Sequence, residues 1–186
     1  DFSAWPEIKL ENLARLGVAI DQLIEEYDLQ ALAFRCWNEL QFRYGVAPCV
    51  LMGILNERGI AAACELDVTN AVMMRAIGLA ADWPVVLLDV NNNYGDDPNK
   101  CILFHCGPLP IDLLCGKGHM EEHKMFTKTQ GINCSWGVNV GKIKPGVITL
   151  CGMRTENGQV SKIREVTLSA ENNWSYLWTN LPKYPL

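Results

Sequence analysis

Ile60-Ala61-Ala62-Ala63-Cys64 is a short apolar run that ends in Glu65-Leu66-Asp67 and passes without a spacer into Val68-Thr69-Asn70-Ala71-Val72. A run this short and apolar reads as a strand, Ile60 to Leu66, covered on both faces. Val68 to Ala81 reads as a helix, with Asp67 or Thr69 placed to cap its N-terminus. A strand that feeds directly into a helix is the building unit of an α/β sheet. Glu and Asp are seldom buried, so two carboxylates where a buried strand stops mark a candidate site.

The flanking segments repeat the unit. Leu10, Leu13, Leu16, Ile20, Leu23, Ile24 and Tyr27 recur at three- and four-residue spacing, which predicts a helix over 9–27 ended by Asp28. Residues 29–34 read as a strand and 38–44 as a helical segment. A second helical piece covers 49–57 and is stopped by Gly59. Residues 84–88 read as a third strand ending at Asp89, 91–99 as a loop, and 101–104 as a fourth strand ending at His105. The pattern predicts an α/β fold, a mostly parallel sheet with helices on both faces. The 91–99 loop is too short for a helical crossover, which takes a dozen residues or more. The fourth strand is therefore antiparallel to the third or belongs elsewhere.

Beyond Gly107-Pro108-Leu109-Pro110 the pattern changes. Residues 111–124 read as irregular or weakly helical. Segments 134–143, 147–154 and 160–169 alternate loosely, divided by Lys144-Pro145-Gly146 and by Glu156-Asn157-Gly158, whose Asn-Gly favours a tight hairpin. This predicts a small antiparallel, barrel-like β domain over 109–186, with its aromatic tail (Trp174, Tyr176, Trp178) packed back, after an α/β domain over 1–108.

Ligands of such sheets bind beyond the carboxyl ends of the strands. The residues there are Arg35, Glu39, Glu65, Asp67, Asp89 and His105. Two residues apart on a strand, Glu65 and Asp67 would share a face. Paired carboxylates there can hold a divalent cation or exchange protons with a substrate; equally, Asp67 can cap the helix and Glu65 form an ion pair. Arg35 and Trp37 suit a sugar or anion pocket, with Trp37 also readable as core. Cys101, His105, Cys106, Cys115, His119 and His123 are zinc-type ligands, but no Cys-x-x-Cys pair occurs and their spacing fits no closed zinc pattern.

Composition narrows the partners. The 186 residues are 49% hydrophobic and 20% charged, with a net charge of −5. That balance and the lack of a basic tract argue against nucleic acid. No apolar run approaches the roughly 20 residues of a membrane span, and the start, Asp1-Phe2-Ser3-Ala4-Trp5-Pro6, has no basic or apolar leader and no initiator Met. The eight Cys, mostly in apolar company, as at Cys64, Cys101 and Cys115, read as buried free thiols of a cytoplasmic protein.

Taken in order, Arg35-Cys36-Trp37, Pro48-Cys49, Gly59-Ile60-Ala61-Ala62-Ala63-Cys64-Glu65-Leu66-Asp67, Asp89 and Phe104-His105-Cys106-Gly107 resemble the L-fucose/L-arabinose isomerase superfamily, in its fucose isomerase-like branch. Lys144-Pro145-Gly146-Val147-Ile148-Thr149-Leu150 resembles that family's carboxyl-terminal barrel. The resemblance implies a ketol isomerase that interconverts aldoses and ketoses through an ene-diol, with a divalent metal, commonly Mn²⁺. It implies Asp67, His105 and Glu39 as metal ligands, Glu39 and Asp67 as the proton-carrying carboxylates, and Glu65 as a substitute for Glu39. Arg35, Trp37, Glu65 and Asp89 are expected around a monosaccharide substrate. The family's chains are longer and oligomeric, so the resemblance further implies a carboxyl-terminal part that works with an amino-terminal region and as a homo-oligomer. Two alternatives stand beside this reading: a non-catalytic sugar-binding or regulatory relative, and a zinc-stabilised structural module.

Overall fold

A computed structural model describes residues 5–82, 85–91, 95–97, 100–157, 159–168 and 171, with backbone alone at 153–156 and 159–168. The chain divides into two compact units, Asp1–Ile143 and Lys144–Leu186. The division expected at 108/109 falls inside the first unit.

The first unit opens with α1 (Glu7–Tyr27), which begins just after Pro6 and ends at Asp28 in the left-handed conformation, φ 49°. β1 (Ala31–Ala33) follows, then α2 (Glu39–Tyr44), α3 (Cys49–Glu57), β2 (Ala61–Ala63) and α4 (Val68–Ala81). β1 and β2 pair in parallel, Ala31 opposite Ala61 and Ala33 opposite Ala63. Alternation along β2 covers both faces. Ala62 packs with Ile20 of α1 and with Met52 and Leu55 of α3. Ala61 and Ala63 pack against Ala71 and Met74 of α4. Alanine side chains let helices close in from both sides, and Ala62 and Ala63 are fully buried.

Asn56 of α3 fastens this layer. Its Oδ1 accepts the Ala62 N–H at 2.7 Å, and its Nδ2 donates to the carbonyls of Ala62 and Pro108, each at 3.2 Å. The segment Pro108–Pro110, which follows the candidate histidine, is thereby held to α3. Gly53 makes the approach possible, since a Cβ there would lie 2.7 Å from the Leu109 carbonyl oxygen.

β3 (Asp89–Asn91) pairs antiparallel with β4 (Ile102–Phe104), the arrangement left open by the short 91–99 connection. Residues 85–88, expected as a strand, lie outside any strand, and Val85 and Leu87 instead pack on the β2–α4 layer. The pairing Asp89 opposite Phe104 moves the strand to the C-terminal side of that apolar run.

A 3-10 turn (Ile111–Leu113) leads to β5 (His119–Glu122), α5 (Lys124–Gln130) and β6 (Trp136–Val140). Within 111–124, expected as irregular or weakly helical, the 3-10 turn fits and β5 is the departure; α5 begins only at its end. β6 pairs antiparallel with β5 and bridges to Val46, where the Ala47 N–H donates to the Trp136 carbonyl at 2.7 Å. Val138 packs with Ala47 and Cys49, and Cys106 lies against this group.

In the second unit, β7 (Ile148–Glu156) and β8 (Gln159–Leu168) form one antiparallel hairpin. Its turn residue Asn157 has φ 52°, the conformation for which Asn is suited. The aromatic tail expected to pack back lies outside the described residues.

Candidate functional site

β2 ends at Ala63, and the chain turns before α4. Glu65 and Leu66 both take positive φ, 61° and 58°, a left-handed conformation that costs a residue with a Cβ roughly 1–2 kcal/mol. The strand alternation that would set Glu65 and Asp67 on one face therefore stops short of them. Asp67 is the N-cap of α4: Oδ1 accepts the Asn70 N–H at 2.9 Å and Oδ2 accepts from Asn70 Nδ2 at 2.7 Å. Glu65 is exposed and Asp67 half-buried.

Glu39 is the first residue of α2 and follows Asn38, itself at φ 75°. Its Oε2 accepts from Arg43 Nε at 2.7 Å. That hydrogen bond, with the charges of Arg43 and Arg35, lowers the Glu39 pKa below its ordinary 4.5. Arg35 and Trp37 are exposed, and the Trp37 ring meets Phe126 edge-on at 5.4 Å.

His105 directly follows β4 and is 8% exposed. Its Nδ1 accepts the Cys106 N–H at 2.9 Å and lies 3.3 Å from Cys106 Sγ. Burial works against the imidazolium. The Cys106 sulfur and the carboxylates of Asp89 and Glu65 outweigh it, and the pKa rises above the ordinary 6.5. Asp89, Glu65 and His105, from three separate segments, thus share one electrostatic neighbourhood. Gly107, with φ 115°, closes the turn beyond them. Glu39 and Asp67 each directly follow a non-glycine residue at positive φ, Asn38 and Leu66, the kind of backbone strain that clusters at functional sites.

Sulfur surrounds the histidine. Cys106 Sγ is 3.9 Å from Cys49 Sγ and 3.9 Å from Cys64 Sγ, and Cys64 Sγ lies 3.8 Å from Met52 Sδ. Hydrogen bonding to Cys106, reinforced by burial, pushes the Cys49 and Cys64 thiols up. Accepting from both lowers Cys106. Among the described residues, Cys64, His105 and Cys106 are the group of three ligand-type residues whose donor atoms all lie within 4.8 Å of one another. Glu39 and Asp67 are not part of it. Sequence reasoning did not connect Cys64 to this group, because 42 positions separate it from Cys106.

The zinc-type set splits. His105 and Cys106 stand in the cluster, whereas the His123 ring meets Phe126 at 4.9 Å. Cys101 and Cys115 are exposed, which corrects the expectation that they are buried; Cys115 Sγ donates to the Ile143 carbonyl at 3.5 Å. His119 Nε2 is exposed, 3.5 Å from Glu121. A cavity of about 330 Å³ opens elsewhere, at the Ala61 end of β2 between Asn56, Arg58, Met74 and Arg75.

Comparison with known proteins adds what the geometry leaves open. The chain is 28% identical over 134 residues to a sulfoquinovose isomerase of Alkalicoccus urumqiensis, a match covering 72% of this chain and 30% of that protein. It is 35% identical over 108 residues to a sulfoquinovose isomerase of Clostridium sp. (strain MSTE9), covering 58% of this chain and 24% of that protein. A protein of the same name from Priestia megaterium is 28% identical over 96 residues, 52% of this chain and 22% of that one. The chain is thus a relative of sugar isomerases. Each match spans less than a third of the relative's length. No family model matches the chain, and no solved structure matches it. Among the described residues, no helix is long and apolar enough to cross a membrane.

Proposed function

We propose that this chain is the metal-binding and catalytic portion of a divalent-metal-dependent ketol isomerase that interconverts an aldose and a ketose through an ene-diol. The observation that carries the reading is the similarity to proteins named sulfoquinovose isomerase. Glu39 and Asp67 stand at helix starts and His105 just after a strand, but the donor atoms of the three do not form one close group among the described residues, so the reading rests on the similarity.

The donor set suits a hard divalent cation such as Mn²⁺, which takes carboxylate and imidazole ligands. Each Asp67 oxygen keeps acceptor capacity beyond its one hydrogen bond to Asn70. Glu39 is held ionised by Arg43 and so carries the charge a metal ligand needs. In this reading Glu39, Asp67 and His105 hold the ion. When bound, it supplies Lewis-acid polarisation of the substrate's adjacent oxygens.

The chain's own residues do the rest. Glu39 and Asp67 take a proton from the carbon beside the carbonyl and return it to the neighbouring carbon. Both stand at helix starts, where the macrodipole favours the carboxylate form. Arg35, exposed next to the Glu39 helix, provides a cation for an anionic sugar such as sulfoquinovose. Trp37 offers a ring face, and Asp89 and Glu65 accept from hydroxyls.

Val68, Val72 and Leu79 are exposed on α4, the kind of apolar stripe a homo-oligomer or the protein's amino-terminal region would cover. Free thiols fit a cytoplasmic setting.

The test is conversion of a panel of aldoses, sulfoquinovose first, by the full protein with Mn²⁺. Ketose formation that disappears in Asp67→Asn supports the reading. Saturable sugar binding with no ketose from any aldose would instead favour a non-catalytic relative.

A further inference from the structure

A zinc–sulfur bond is about 2.3 Å long, so neighbouring sulfurs in a tetrahedral site stand about 3.8 Å apart. Cys64 Sγ and Cys106 Sγ are 3.9 Å apart in the structure. The imidazole of His105 completes a triangle with them, all three donor atoms lying within 4.8 Å of one another. The sulfur–sulfur edge is thus that of a zinc tetrahedron. Cys64 is fully buried and His105 is 8% exposed, while Cys106 is half-buried and gives an ion a way in. The carriers are fixed: Cys64 follows β2 directly, and the chain after Cys106 is held to α3 through the bond from Asn56 to Pro108. Cys49 Sγ also lies 3.9 Å from Cys106 Sγ.

We propose that Cys64, His105 and Cys106 form a second, thiophilic cation site, suited to Zn²⁺, with the fourth place taken by solvent or Cys49. Thiolate and imidazole select zinc, whereas carboxylates select manganese. The two sites overlap at one residue. If His105 also holds the hard ion, a consequence that rests on the isomerase reading, then zinc withdraws it and the two ions exclude each other. Zinc becomes an inhibitor that acts by taking a ligand rather than by occupying the sugar site.

The experiment titrates the reduced, metal-free full chain with Co²⁺, a spectroscopic stand-in for Zn²⁺. The site predicts a thiolate-to-cobalt charge-transfer band and intense tetrahedral visible bands at one ion per chain. The charge-transfer band weakens in Cys64→Ala and in Cys106→Ser, vanishes in the double variant, and is unchanged in the Cys101→Ser, Cys115→Ser control. X-ray absorption on the zinc-loaded, unmodified chain needs no variant and should show two or three sulfurs around the ion. A first shell of oxygen and nitrogen alone, or a band that survives the double variant, overturns the site. Mn²⁺ binding, followed separately by electron paramagnetic resonance, should be lost on adding Zn²⁺. If the zinc-free chain binds no Mn²⁺ the isomerase reading fails while the cobalt result stands. If Mn²⁺ and Zn²⁺ bind together, the shared use of His105 is refuted.

Discussion

Asp67 Oδ1 accepts the backbone N–H of Asn70 at 2.9 Å, and Oδ2 accepts from the same residue's side chain at 2.7 Å. One carboxylate is thus aimed by the helix it caps, and the charge proposed to hold a metal is positioned by α4 itself. Cap and ligand are separable. Asp67→Ala should lower unfolding free energy by about 1 kcal/mol through the lost cap. Asp67→Asn should leave stability nearly unchanged, because Asn caps as well as Asp. Both should abolish Mn²⁺ binding, read by chemical denaturation beside electron paramagnetic resonance.

The turn before Asp67 stores strain. Leu66 has φ 58° and is 54% exposed, so glycine relieves the backbone there and gives up little burial. Leu66→Gly should raise stability by roughly 0.5–1 kcal/mol, the left-handed penalty less the entropy glycine loses on folding. A midpoint that moves to lower urea would show that this turn carries no penalty.

Asn56 makes three buried hydrogen bonds that tie α3 to β2 and to Pro108. Removing its amide leaves the Ala62 N–H and two carbonyls unpaired. Asn56→Ala should destabilise the chain by about 2–4 kcal/mol. It should also loosen the segment after Cys106, seen as faster amide exchange there.

His105 has a pKa raised above 6.5 by Cys106, Asp89 and Glu65 against the opposing effect of burial. The folded chain therefore favours the imidazolium. The resulting stabilisation is fully present below pH 6.5 and fades as pH rises through the folded-state value. Asp89→Asn should bring the His105 titration, followed by NMR of the ring, down towards 6.5 and flatten that part of the stability profile. An unmoved titration would mean that Asp89 does not act on the ring.

Local pattern was enough to read α3 and α4 in full, because their apolar spacing, Gly59 and the Asp67 cap all agree with the packing. The Asn157 turn was legible for the same reason. What sequence could not show depends on partners distant along the chain. The run at 85–88 is apolar enough for a strand, yet β3 starts at Asp89, where Phe104 supplies the pairing. β5 carries Glu121 and Glu122 and shows no apolar alternation; its pairing with β6 makes it a strand. At the site, strand-end logic named His105 and Glu65; Asp89, expected after a strand, instead begins β3, yet acts on the same ring as Glu65. Cys64 reads locally as one more apolar residue after an alanine run. Only the 3.9 Å approach to Cys106 gives it a chemical meaning.

The central claim is that Glu39, Asp67 and His105 hold a metal and that Glu39 and Asp67 move a proton between two sugar carbons. The most direct measurement follows sulfoquinovose and other aldoses by NMR in D₂O, with Mn²⁺ and the full protein, for the unmodified chain, Asp67→Asn and Glu39→Gln. The account predicts ketose with deuterium at the exchanged carbon for the unmodified chain and neither for the two variants. No ketose from any aldose, or unchanged turnover in both variants, would contradict it.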